Sequence, residues 1–420
     1  MASGLPSSTS AFGGTAFAWL WRRSEFGLLL AIVVVGGLTA GFDSQHTYLN
    51  NPLPSLVDVL RQTTTLGIFA LGAAVVIIAG GIDLSSGAVI AFSGTVCATL
   101  LLLLAPEEMT KNLPIPFWVI TIACLGALLS GFLVGSLHAW LINVVNLPPF
   151  VATLSTLVGL RSFSRALVAY ANKESTQISV YDPRFRYLSN SVWIPALLCV
   201  VLGLLVWLLM SRTVTGRHLY AMGGNEGAAK LSGIRTENLK WLAYCLSAML
   251  SSLAGILLFA EVAVIEPVTV GKGYELNAIA AAVVGGCSLQ GGVGTIPGTL
   301  LGALFLRVVM DGVAKVIKVS ADVYEGLIVG SVVVFAVAFT QLRQARRQRL
   351  RWFAGSLGVV TIINLTLLTG ALVALFLVKP RPDQIEVPFS LPGGGIALLV
   401  FVAVWFIEGR KKETSSASTK

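Results

Sequence analysis

In the stretch "NLPPFVATLSTLVGL", Pro148 and Pro149 stop any incoming helix and can begin a new one. In that helix Thr153, Thr156 and Ser164 fall near one stripe, with Ser155 beside it. Hydroxyls on an apolar helix can offer hydrogen bonds to a polar solute. They also bind one membrane helix to another, and packing is the first reading. Asn277, inside the apolar run Tyr274–Val284, carries the same two readings. Asp83 stands in "GGIDLSSG" (Gly80–Gly87), which shares the pattern G-G-x-x-L-x-x-G with "GGCSLQGG" (Gly285–Gly292). Glycine permits a sharp reversal or a broken helix, and Asp83 or Ser85 can cap the helix that follows. Transporters interrupt helices near their pathways, which makes Asp83, Thr153, Ser155, Thr156 and Asn277 pathway candidates. A tight turn before a capped helix is the competing reading.

Arg161 and Arg165 stand at i and i+4 and share a helix face. They could hold an anionic lipid-linked substrate, but their place near the end of the run favours snorkelling to the outer interface. Asp58, Glu261, Glu266, Asp311, Asp322 and Glu325 fall at or near predicted outside ends, and Glu226 and Glu237 lie in an inside loop. No acid falls clearly at mid-membrane, where a proton- or sodium-driven carrier needs one. There is no Walker A, H-E-x-x-H or G-x-S-x-G motif, so no catalytic residue is assigned and no enzyme is expected. The five cysteines and three histidines are dispersed, with no metal-ligand spacing and no disulfide framework. No metal or cofactor is expected.

The elements that position these residues are membrane helices. With 55% hydrophobic and 12% charged residues and a mean hydropathy of +0.83, the solvent for this chain must be lipid. A span needs about 20 apolar residues. Ten candidates precede residue 342: Phe26–Phe42, Leu56–Ala79, Ala88–Leu104, Phe117–Ile142, Pro149–Tyr170, Val192–Met210, Trp241–Val262, Tyr274–Val284, Gly294–Gly312 and Val323–Thr340. The eighth is too short to span alone. Each reads as helix, because lipid offers backbone groups no partner. With the N-terminus in the cytoplasm, Arg22 and Arg23, the basic residues of 212–240, Arg343–Arg351 and Arg410–Lys412 all fall inside. That positive-inside bias makes both termini cytoplasmic and accounts for the net charge of +9 without nucleic acid. The expected fold is an all-α polytopic membrane protein. It has a tail over 1–25, a ten-span core over 26–341, and a basic linker, transmembrane hairpin (Trp352–Val378, Gly394–Ile407) and polar tail over 342–420. The first run reads as an uncleaved span rather than a signal peptide.

Between spans six and seven lies "GRHLYAMGGNEGAAKLSGI" (Gly216–Ile234). Asn225 can cap a helix starting at Glu226, Glu226 and Lys230 form an i, i+4 pair around Ala229, and Gly233 suits the positive φ of a C′ position. Gly223 and Gly224 form a hinge before it. Such stop and start signals specify a rigid knob, which suits a socket on a partner; an interfacial helix on anionic lipid is the competing reading.

Together with "GGIDLSSGAVIAFSG", "LPPFVATLSTLVGLRS" and "YELNAIAAAVVGGCSLQGGVGTIPGTLLGAL", this segment resembles the permease subunits of bacterial ABC importers for ribose, xylose, arabinose, galactofuranose and related sugars. The resemblance is ordered and covers most of residues 26–341. It implies an inner-membrane channel of two permease subunits (homo- or heterodimer), with ATP-binding subunits beneath and a periplasmic sugar-binding protein above. It also implies that Gly223–Gly233 is the helix coupling ATP hydrolysis to gating. Residues 343–420 depart from the family, whose members usually finish near Leu342. Against a sugar permease stand an ion-coupled secondary carrier and, third, a membrane glycolipid enzyme.

Overall fold

A computed structural model of the chain describes residues 24–43, 46–111, 113–172, 175–317 and 325–334, with 338, 360–364 and 366–367. The chain divides into two compact units, Met1–Val337 and Ala338–Lys420. The amino-terminal tail, the basic linker and nearly all of the expected hairpin lie outside the described residues.

The apolar runs expected to be helical are helical where they are described, apart from Ala79, Val192, Gly294 and Thr295 at their ends. In chain order the helices are α1 (Ser24–Phe42), α2 (Thr47–Asn50), α3 (Pro52–Ile78), α4 (Ser86–Leu104), α5 (Pro106–Lys111), α6 (Phe117–Asn143) and α7 (Pro149–Ala171). There follow α8 (Pro183–Asn190), α9 (Trp193–Arg212), α10 (Val214–Gly224), α11 (Glu226–Leu231), α12 (Thr236–Val262), α13 (Tyr274–Val284) and α14 (Ile296–Ile317). A further helical stretch covers 325–334. Two short strands, β1 (Ile178–Ser179) and β2 (Val264–Ile265), pair antiparallel with Ile178 opposite Ile265. Among the described residues seven helices are long and apolar enough to cross a membrane: α1, α3, α4, α6, α9, α12 and α14. The 23-residue α7 is not among them, because its arginines and hydroxyls dilute its apolar run. The helices α13 and 325–334 are shorter.

Burial is distributed as lipid solvation requires. Leu125, Leu129 and Leu133 of α6 and Leu197, Val200 and Leu204 of α9 are exposed, while Ser93, Ser247, Ser251 and Ser252 are fully buried. Lipid tails reward no burial of leucine, so contacts between helices come from small residues and hydroxyls. α12 is the central helix and packs on α3, α4 and α6. Each contact is made by a glycine. A Cβ added to Gly135 of α6 would stand 2.5 Å from Cys245 Cα, and one on Gly72 of α3 would stand 2.7 Å from Ser247 Cα. On α12 itself, a Cβ at Gly255 would meet Ser93 Oγ at 2.5 Å.

The chain leaves helix inside this bundle at three places. After α3, Gly80 takes φ +83° and residues 80–85 run non-helically to α4. After β2, Gly271 and Gly273 take φ +66° and +82° before α13 begins. After α13, Gly286, Gly291 and Gly292 are again left-handed. Such values cost an L side chain and cost glycine little. The eleven residues of α13 rise about 16 Å, roughly half of a 30 Å hydrocarbon core.

Gly135→Val should prevent α6 and α12 from closing, since overpacking costs about 1–3 kcal/mol and the clash is with backbone. The expected outcome is a lower thermal midpoint and polydisperse elution in detergent; wild-type values for both would contradict the packing account.

Candidate functional site

The segment joining α9 to α12 forms a two-helix knob. Thr213 opens α10, its hydroxyl accepting the Gly216 N–H at 3.0 Å. Asn225 is extended (φ −160°, ψ 102°), and its Oδ1 accepts the Ala228 N–H at 3.0 Å to start α11. Gly233 takes φ +81° and donates to Lys230 O, while Ile234 N donates to Ala229 O at 3.1 Å, which closes the helix end. Glu226 binds Lys240 at 2.7 Å and Lys230 at 3.1 Å, and Lys230 also reaches Glu237 at 3.7 Å. These pairs fasten α11 to the base of α12. Ala229 is buried beneath, whereas Leu231 is 92% exposed at the tip.

The sequence pattern points to one short helix here, and the structure has two; α10 ends in the Gly223–Gly224 pair expected to be a hinge. Gly223 is instead wedged in place. A Cβ there would collide with Ile78 O and stand 2.7 Å from Gly292 N. A Cβ on Gly291 would lie 2.8 Å from Gly80 Cα, Gly292 N donates to Ile78 O at 2.9 Å, and Tyr220 Oη donates to Gly294 O at 2.9 Å. The two loops sharing the G-G-x-x-L-x-x-G pattern thus meet each other and the end of α10 in one backbone-to-backbone junction. Thr213, whose hydroxyl caps the helix, is the signal by which α10 could have been found.

Beyond this junction lies a buried polar cluster. Asp83 is 2% exposed. Its Oδ1 accepts from Ser85 N at 2.9 Å and Ser85 Oγ at 2.6 Å, and its Oδ2 accepts from Ser247 Oγ at 2.8 Å. Thr153 Oγ accepts the Leu84 N–H at 3.2 Å. Thr156 pairs with His138 Nε2 at 2.6 Å, and the His138 ring lies edge-on to Tyr244. The other candidates lie elsewhere. Ser155 is on the exposed face of α7 and turns back to Val151 O, and buried Asn277 donates to Glu325. Ser247 was not singled out by the sequence, because nothing local distinguishes it from the other serines of α12.

Two expectations are corrected. Arg161 does not snorkel outward; its guanidinium turns inward and donates to Pro267 O at 3.2 Å and Val270 O at 3.1 Å. Nor is the bundle free of inner acids. Asp83 is buried among helices, and Glu275, in the first turn of the half-length α13, lies against Gly87. The sequence marks Asp83 as a cap and pathway candidate but gives no sign of its burial, and it does not single out Glu275, whose place against α4 is set by the fold. Among the described residues no group of three or more His, Cys, Asp or Glu could hold a metal, and all five cysteines are free.

Apolar helices interrupted at paired glycine loops, with a buried carboxylate between them and a charged two-helix knob at one end, define a membrane transport component. Residues 55–337 match the family described as branched-chain amino acid transport system / permease component, and the chain belongs to that family. It is a multi-pass inner-membrane permease component and not an enzyme. Its relatives include the ribose import permease protein RbsC of Escherichia coli K12, 32% identical over 78% of this chain and 96% of the relative. RbsC of Bacillus subtilis 168 is 33% identical over 76% and 92%, and the D-allose transport system permease protein AlsC of E. coli K12 is 29% identical over 78% and 94%. No solved structure matches the chain.

Partial burial alone would raise the Glu226 pKa, but hydrogen bonds and charge from Lys240 and Lys230 outweigh it and hold the carboxyl below its ordinary value of 4.5. A depressed carboxylate contributes its full stability above the ordinary value and loses it as pH falls through the lowered one. Amide protection of α11 should therefore drop below about pH 4.5 in the wild type and stay flat, from a lower start, in Glu226→Gln. Parallel pH profiles in hydrogen exchange would remove Glu226 as the fastener.

Proposed function

We infer that this chain is the permease subunit of an ABC importer for sugars, taking a monosaccharide or close analogue. The observation that carries the reading is the pairing of a rigid, capped knob with relatives that are sugar import permeases along nearly their whole length. Family membership implies ATP-binding subunits and a periplasmic sugar-binding protein as partners. The apolar runs favour a ten-span core, the positive-inside charge bias puts both termini in the cytoplasm, and the family resemblance implies a second permease subunit, identical or homologous, across the channel. In that arrangement α11 is the coupling helix, with Gly223, Gly224, Asn225, Glu226, Ala229, Lys230 and Gly233 shaping it. The exposed Leu231 is its apolar contact with the ATP-binding subunit. Movement of the knob passes through the Gly80–Gly223–Gly291 junction to the segment bearing Asp83, and from there to Ser247 on the central helix. Asp83, Thr153 and Thr156 then line or control the pathway from the cytoplasmic side.

A second reading has one observation in its favour. Buried acids such as Asp83 and Glu275 are what an ion-coupled carrier uses. Uptake into vesicles decides between the two. Reconstituted with its ATP-binding and sugar-binding partners, the permease should take up a pentose or hexose, reject branched-chain amino acids, require ATP, and survive collapse of proton and sodium gradients. Loss of uptake to an uncoupler at constant internal ATP would establish the ion-coupled carrier instead.

The knob can be tested separately. Ala229→Pro removes the Ala229 N–H bond to Asn225 O and costs about 3 kcal/mol within a helix, more than the roughly 0.2–0.5 kcal/mol of one i, i+4 ion pair. Leu231→Asp leaves the helix intact and changes only its exposed tip. Both should insert normally and lose at least about tenfold in co-purification of the ATP-binding subunit, roughly 1.4 kcal/mol of affinity. Undiminished binding by both would leave α11 as a lipid-surface helix.

A further inference from the structure

The connection from β2 to α13 is a run of turns in which Glu266 O, Thr269 O, Gly271 O and Gly273 O accept local backbone N–H groups. The Pro267 and Val270 carbonyls take their donor from Arg161. It comes twelve residues after Pro149, about 18 Å along the 23-residue α7. One of its terminal nitrogens donates to both Pro267 O and Val270 O. The left-handed Gly271 and Gly273 follow immediately, and α13 begins at Tyr274. On the far side of the connection, a Cβ on Gly87 would collide with Gly271 O and with Glu275 Oε2. A single guanidinium thus joins α7 to a segment that itself rests on the first turn of α4.

This contact is not an ion pair in the ordinary sense. Glu275 faces Arg161 only at electrostatic range, and its Oε2 is buried without a hydrogen-bond partner among the described residues. The direct bonds of Arg161 go to backbone. Apart from α4, and lightly α6, α7 has little packing against the other described helices: Leu154, Val158, Phe163 and Tyr170 are exposed.

We propose that Arg161 is a positioning residue for transport, tying α7 to the turns of 266–273 so that α7 and α13 move as one body when the pathway opens and closes. The proposal rests on the importer reading. It differs from a charge-balance role, in which Arg161 merely neutralises Glu275 and the two could be removed together.

The test uses the full importer with uptake scored per mole of purified, ATPase-bound complex. Arg161→Met should lower maximal uptake at least tenfold, leave the half-saturating sugar concentration within twofold of wild type, and keep the ATP-binding subunit bound. Arg161→Lys, which retains several donors on a slightly shorter stem, should recover part of the uptake. The double variant Arg161→Met/Glu275→Met should recover none. Full uptake by Arg161→Met, or recovery in the double variant, would overturn the proposal; so would failure of both Arg161→Met and Arg161→Lys to insert, since Arg161 would then be a folding residue. A wild-type complex that takes up no sugar is a failure of the importer reading, and it is read out before any variant is compared.

Discussion

A backbone that leaves helical geometry inside lipid frees N–H and C=O groups that no solvent can satisfy, so the protein itself has to bind them. Much of this structure follows from that demand at three interruptions. At the first, Asp83 takes up Ser85 N and Thr153 takes up Leu84 N. At the second, Arg161 binds the Pro267 and Val270 carbonyls. At the third, Gly292 N reaches back to Ile78 O at the end of α3. Each solution draws in a partner from a different helix. The interruptions are therefore also the places where helices are most specifically connected.

Glycine makes these connections short. Gly223, Gly80 and Gly291 bring three chain segments to backbone contact, and a backbone contact transmits displacement without the slack of side-chain rotamers. The same residue type sets the distance of α12 from its neighbours at Gly72 and Gly135. The central helix and the knob junction are thus parts of one close-packed system, and a movement of α10 has a direct route to the segment carrying Asp83.

The polar cluster is stable for an electrostatic reason. A carboxylate away from water is costly unless its oxygens are hydrogen-bonded, and Asp83 has three such bonds from Ser85 and Ser247. The knob follows a different logic. It is polar and its ion pairs are partly exposed, so each is individually weak. Its shape comes from caps at Thr213, Asn225 and Gly233, with Glu226 bridging to Lys240 at the base of α12. Rigidity there costs little, and an exposed apolar tip at Leu231 remains for a partner.

The sequence by itself determined the long apolar helices and the caps of α11. The apolar runs are set by the requirement for lipid solvation, and the α11 boundaries by Asn225 and Gly233, because both depend on residues within a few positions of each other. It also marked the two glycine loops as alike. What only the tertiary structure decided is which distant residues meet. Asp83 selects Ser247 from several serines of α12, and Glu226 takes Lys240 as well as its helical neighbour Lys230. Thr153 joins the buried cluster while Ser155, two residues away, faces outward. Depth was equally illegible. Nothing in the run Tyr274–Val284 says how deep Glu275 lies, but the half-length α13 starts against Gly87 in the first turn of α4 and holds it among the helices. Periodicity records which face of a helix a residue occupies; it holds no record of how far an interrupted chain has travelled across the bilayer.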